Sequence, residues 1–134
     1  MNTTDTLTHT MTIREMCEAF DVTPRTLRFY EAKELLSPIR IGTRRLFTKA
    51  DRARLTLILR GKRFGFSLED IRQLLGLYDP NGSNAAQLQK TLEIGAARLT
   101  QMELQRAELD VAIRELTDQI ALTAEMLKGN RNAA

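Results

Sequence analysis

TPRTLRFYEAKELLSPIRIGTRRLF, residues 23–47, holds five arginines and a lysine, two carboxylates, and neither His nor Cys. Such a segment offers no nucleophile beside a base and no set of metal ligands; it offers positive charge interleaved with aromatic rings. Its first half reads as a helix over 24–34. Thr23 stands as N-cap, Pro24 sits at N1 where its missing N–H is harmless, and Val22 and Leu27 form a staple pair around the cap. The second half obeys a different local rule. Pro38 disfavours helix at Ser37, Gly42 offers a bend, and Ile39/Ile41 and Leu46/Phe47 flank it as short β-prone arms of a hairpin.

Upstream, TIRE makes Thr12 an N-cap with Glu15 at N3, a capping box, and Met11 and Met16 take the staple positions of a helix over 13–20. Downstream, TKAD opens a third helix with Thr48 and Asp51 in the same roles, running toward Arg63 and stopped by Gly65. FSLEDIRQLLGLY starts a fourth at Ser67, with Phe66 and Ile71 as staple. Two short helices joined by a tight turn and followed by a hairpin describe a winged helix-turn-helix DNA-binding domain, here residues 11–78. In its second helix positions 25, 28 and 29 share a side, so Arg25 and Arg28 can both face a duplex while Leu27 and one aromatic pack inward.

Charge is distributed to match. Residues 23–63 carry twelve Lys/Arg against three acids, whereas residues 81–134 carry six against seven, so the basic field is local, as for a surface that meets a polyanion. Cys17 is the sole cysteine, which excludes an internal disulfide and any multi-thiolate metal site within one chain, and it is expected to be a buried small apolar residue. His9, the sole histidine, falls in an expected flexible tail, 1–10. No run approaches the roughly 18 apolar residues of a membrane span, and the start is polar, so a cytoplasmic protein without membrane contact is expected. One His, one Cys and no phosphate-cradling glycine loop argue against an enzyme.

DPNGSN, residues 79–84, gathers turn formers and reads as a linker. Beyond it a single helical pattern spans 85–128, before an expected flexible tail, 129–134. Positions 88, 92, 95, 99, 102, 106, 109, 113, 116, 120, 123 and 127 alternate in steps of four and three, and nine of them hold Leu, Ile or Met, which is a heptad seam. A helix of that length cannot bury such a stripe against an 80-residue globule, so it requires a partner helix and predicts a homodimer.

From VTPRTLRFYE onward the chain resembles the MerR family of bacterial transcription regulators. The likeness continues through the wing, through RGKRFGFSLEDIRQLL, and into the long helix, covering roughly residues 12–128. It implies a mainly α fold in which a winged helix-turn-helix domain precedes a long dimerisation helix, paired as an antiparallel coiled coil. It implies double-stranded promoter DNA with a pseudo-palindromic site as partner, bent and untwisted on binding, with RNA polymerase at the same promoter. DNA contact falls by resemblance to Arg25, Arg28 and Tyr30 in the recognition helix and Arg45 in the wing. Arg40 and Arg44 join the candidates, Arg44 because the family's wing tyrosine is replaced here by Phe47, which has no hydroxyl for a phosphate. Glu34 stands where relatives carry a helix-ending glycine.

Metal-sensing members use cysteines near the start of the dimer helix and in a loop after it, and redox members a cysteine cluster. This chain has neither, so no metal and no cofactor is expected; the sequence names no small-molecule effector. LILRGKRFGFSLEDIRQLLGLYD and the short wing resemble the LiuR-like subgroup, which implies control of branched-chain amino acid and acyl-CoA catabolism genes. A competing reading from another class is a coiled-coil interaction or architectural protein that binds DNA loosely.

Overall fold

In the computed structural model the described residues are 9–77, 82 and 84–133. The elements run β1 (Met11–Thr12), α1 (Ile13–Phe20), α2 (Pro24–Ala32), β2 (Ile39–Ile41), β3 (Arg44–Phe47), α3 (Lys49–Arg63), α4 (Leu68–Leu77) and α5 (Ala85–Ala133). Residues up to Ile94 form one compact unit and those from Gly95 a second.

Local chemistry sets each helix start. The Thr12 hydroxyl accepts from Glu15 N–H at 3.2 Å and the Glu15 carboxylate accepts from Thr12 N–H at 3.0 Å, which closes the capping box of α1. Hydrogen bonding from Thr12, chiefly its backbone N–H, also holds the Glu15 carboxyl pKa below its ordinary value. Thr23 caps α2 by accepting from Thr26 N–H at 3.2 Å, with Pro24 at the first turn. Ser67 does the same for α4, accepting from Asp70 N–H at 3.0 Å. At its far end α3 closes with Gly65 N–H on Lys62 C=O and Phe66 N–H on Gly61 C=O, the paired bonds of a Schellman motif, as the glycine there predicts. Gly61 itself is buried because α4 crosses closely: a Cβ at this position would meet Ile71 Cγ1 at 2.9 Å.

The hairpin forms with Ile39 opposite Leu46, Arg40 opposite Arg45 and Ile41 opposite Arg44. Gly42, φ 60, occupies the first position of the two-residue connection, where a type II′ turn needs positive φ. A third strand adds to it: β1 pairs antiparallel with β3, Met11 facing Phe47 and Thr12 facing Leu46, giving the order β1-β3-β2. The sequence showed Met11 and Thr12 only as a staple and a cap; the two-residue strand has no pattern of its own and exists because β3 is there to pair with it.

One core unites these elements, with Met16 from α1, Leu27 and Tyr30 from α2, Phe47 from β3, Leu55 and Ile58 from α3, and Ile71 and Leu75 from α4. Leu35 and Leu36, in the loop after α2, are 1% exposed and complete it. Cys17 is half-buried at its edge.

Several boundaries differ from the sequence reading. α2 ends at Ala32 and not at 34, since Glu34 turns into the left-handed region at φ 63 and lets Leu35 and Leu36 reverse into the core. A non-glycine residue there carries strain that a glycine would not. Of the expected tail 1–10, residues 1–8 lie outside the described residues, but His9 is tied down, its carbonyl accepting from Arg52 Nη1 at 2.8 Å. Of the 79–84 linker, residues 79–81 and 83 lie outside the described residues, and Asn84 is left-handed at φ 57 before α5 begins. The expected tail 129–134 is corrected over 129–133, where α5 continues without a break. The first compact unit also takes in the opening turns of α5, where Gln87 Nε2 reaches the Leu74 carbonyl at 3.4 Å. Among the described residues no helix is long and apolar enough to cross a membrane.

The loop between α2 and β2 is fastened by side chains from behind. Asp51, 2% exposed, accepts Ser37 N–H on one carboxylate oxygen and Thr48 N–H and Oγ on the other, at 3.0–3.1 Å. Arg54 Nε donates to Leu35 C=O at 3.0 Å, and Arg72 donates to Lys33 C=O. Opposite stability changes follow at two positions. Asp51→Ala should cost about 2 kcal/mol by stranding two part-buried backbone donors and removing a cap. Glu34→Gly should gain about 0.5–1 kcal/mol by relieving the left-handed strain. Urea unfolding at one protein concentration, followed by circular dichroism, measures both.

Candidate nucleic-acid interface

The inner face of α2 carries Leu27 and Tyr30, one turn apart and buried; its outer face carries Arg25, Arg28 and Phe29. Phe29 is 45% exposed, its ring 5.7 Å from that of Tyr30 and covered on one side by the Lys33 ammonium at 5.7 Å from the centroid. The aromatic that packs inward is therefore Tyr30, at 6% exposure. This corrects its assignment to the DNA surface: burial that pushes its hydroxyl pKa above the usual tyrosine range marks a core ring, and Phe29 is the aromatic on the outer face. Phe47 is likewise fully buried, so its missing hydroxyl has no bearing on the interface.

Alternation along the wing divides its arginines between two faces. Ile41 and Arg44, opposite each other in the register, are both exposed, and no described residue pairs with the Arg44 side chain. Arg40 and Arg45 are also opposite each other but on the face that meets α2. Two guanidinium groups at directly facing positions would repel. Glu31, near the end of α2, resolves the conflict: Arg45 Nε lies 3.1 Å from both of its carboxylate oxygens and Arg40 Nη1 lies 3.0 Å from Oε1. The side chains of Arg45 and Glu31 are 21% and 20% exposed, so this pair is shielded, while Arg40 at 51% stands nearer to solvent.

The basic field of residues 23–63 thus separates by role. Arg52 and Arg54 hold backbone carbonyls and Arg40 and Arg45 hold Glu31. The side chains of Arg25 and Arg28 on the recognition helix and of Arg44 on the wing are exposed and make no ion pair or hydrogen bond to another described residue. Glu31 was absent from the sequence candidates. A signal for it existed: a hairpin centred on Gly42-Thr43 sets Arg40 against Arg45, and two facing cations call for a nearby anion.

A helix-turn-helix with a basic outer face, flanked by a three-stranded wing, defines a winged helix-turn-helix DNA-binding protein. Comparison with known proteins gives the family. The model for the MerR HTH family regulatory protein matches residues 11–77, and that described as MerR, DNA binding matches residues 52–119. The chain belongs to the MerR family of DNA-binding transcription regulators, which are not enzymes.

Among its relatives is the HTH-type transcriptional regulator ZntR of Escherichia coli K12, 36% identical over 107 residues, covering 78% of this chain and 74% of ZntR. Among solved structures, the transcription regulator PbrR691 of Ralstonia metallidurans CH34 in complex with lead(II) aligns at TM-score 0.64 and 31% identity, covering 81% and 83% of the two chains. HiNmlR, a MerR family regulator lacking the sensor domain and bound to promoter DNA, aligns at TM-score 0.58 and 26% identity, covering 84% and 88%. The lead ion belongs to PbrR691. The described residues contain no group of three His, Cys, Asp or Glu able to hold a metal, and Cys17 sits alone on α1.

Arg28→Ala and Arg44→Ala should weaken DNA binding differently. An Arg28 that reads a base should cost about 1–3 kcal/mol and relax preference at one position of each half-site. Loss of a wing phosphate contact at Arg44 should weaken all sequences alike and reduce the slope of log K against log salt by about one. Fluorescence anisotropy on operator and scrambled DNA at several salt concentrations measures both.

Proposed function

We propose that the protein is a homodimeric regulator that binds a pseudo-palindromic promoter site, sets Arg25 and Arg28 of each α2 in the major groove and Arg44 of each wing on flanking phosphate, and bends and untwists the DNA between them. The observation that carries this reading is the outer face of α2, where two unpaired arginines and an exposed aromatic stand beside a wing whose outward arginine is also unpaired among the described residues. Similarity to HiNmlR, described as bound to promoter DNA, supports the partner.

Dimerisation is supported by α5. Its 49 residues make a helix about 74 Å long. Its nine apolar seam positions, from Leu88 to Leu127, are 41–68% exposed, so no described residue covers them. A second copy offers the complementary stripe, and the family resemblance makes the pairing an antiparallel coiled coil. A dimer brings two recognition helices to one DNA, so DNA whose half-sites do not match their separation must distort. Such bending costs on the order of 1–6 kcal/mol, which added phosphate contacts from helix and wing offset. Distortion is also the means by which such a regulator would realign promoter elements for RNA polymerase. The LiuR-like character of residues 57–79 and the short wing point to branched-chain amino acid and acyl-CoA catabolism genes as targets.

Footprinting on fragments recovered by selection from random DNA should show a protected palindrome; uniform protection would instead identify an architectural protein. Leu109→Asp with Leu116→Asp buries unpaired charge in the seam and should yield monomer or unfolded chain in sedimentation, and an unchanged dimer would rule out this interface. A bent complex should migrate more slowly with the operator at the centre of a fragment than at its end. Mobility independent of position would leave occlusion as the mechanism.

A further inference from the structure

We propose that Glu31 is a specificity-determining positioning residue: its carboxylate holds Arg40 and Arg45 of the wing against the recognition helix and withholds them from the phosphates of random-sequence DNA. The proposal deepens the operator-binding reading above and rests on it. Three observations carry it. The hairpin register places Arg40 directly opposite Arg45. One carboxylate receives both, with Arg45 engaging its two oxygens at once. Glu31 itself belongs to α2, three residues beyond Arg28 and so one helical turn from a candidate base-reading side chain.

From this geometry two effects follow. A phosphate that takes Arg45 must displace a charge-assisted, two-oxygen contact and then lie close to the Glu31 carboxylate, which repels it. Phosphates of randomly docked DNA therefore gain little from these two arginines. The same contacts bind the wing to α2, so Arg28 and Arg44 are presented to DNA in one fixed relation, an advantage only where the base sequence and the backbone both match. Glu31 thus lowers binding to random DNA and keeps binding to the operator, which is what a specificity ratio measures.

Glu31→Gln retains the side-chain shape and removes the charge. Anisotropy titrations of wild type and variant, on operator and on random DNA across salt concentrations, test the role, with melting followed by circular dichroism. Expected for the variant on random DNA is a slope of log K against log salt steeper by about one to two units, and binding tighter by about eightfold per freed arginine near 0.1 M salt. The ratio of operator to random affinity should fall. A random-DNA slope within about half a unit of wild type, or a steeper slope with an unchanged ratio, would overturn the proposal. Weaker binding to both DNAs with an unchanged slope and a lower melting temperature would also overturn it, since that is the signature of a merely structural contact. Should Glu31→Gln fail to fold, Arg40→Gln decides: with Glu31 in place its random-DNA slope should drop by less than about half a unit, and a drop of a full unit would show Arg40 already free for phosphate. Wild-type protein with no preference for operator would defeat both readings, whereas preference with an unaltered Glu31→Gln slope defeats only this one.

Discussion

The wing exists as a defined object because Asp51 closes its base. Ser37 lies just before β2 and Thr48 just after β3, and one nearly inaccessible carboxylate accepts the backbone N–H of both. A hairpin with arms of three and four residues and a two-residue turn is marginal in water by itself. Anchoring both ends to the N-terminus of α3 removes most of the freedom such a hairpin would have, and the same carboxylate completes the α3 capping box. Arg54 and Arg72 extend the clamp back to Leu35 and Lys33, so the backbone leaving the recognition helix is fixed at each step before the wing begins. Leu35 and Leu36 are buried with both of their N–H groups on the Tyr30 carbonyl and the Leu35 carbonyl on Arg54.

Upon that frame the basic residues divide. A count of positive charges overstates the surface available to DNA, since side chains such as Arg52 and Arg54 serve carbonyls and Arg40 and Arg45 serve Glu31. What remains outward on α2 and the wing is a small set, Arg25, Arg28 and Arg44, with Phe29 between helix and wing chemistry as an apolar contact. Few free cations on a rigid frame favour discrimination, because each must find its own phosphate or base edge.

The long helix obeys a different economy. Nine of its twelve seam positions are apolar and exposed and its net charge is near zero, so the basic field of the chain lies elsewhere. The two patterns are separated along the chain, charge in residues 23–63 and apolar repeat beyond 85, as the proposed dimer requires.

Caps, staples, the helix-ending Gly65 and the heptad seam were legible in the sequence because each depends on residues three or four apart, or on a period that repeats. The hairpin was legible for the same reason, its turn marked by a glycine between β-prone arms. The shared side of Arg25 and Arg28 and the burial of Leu27 followed from helical periodicity once α2 was placed, whereas Arg44 became a candidate by resemblance to the family's wing. The sequence could say that one aromatic of α2 packs inward but not which, because Phe29 and Tyr30 are adjacent and only the position of α1, α3 and β3 decides the buried side. Strand β1 depends on a partner 34 to 36 residues away. The roles of Glu31, Asp51, Arg54 and Arg72 rest on contacts spanning 9 to 39 residues. Local patterns determine elements; which charges remain free for a partner is decided only when the packed elements bring distant donors and acceptors within about 3 Å of one another.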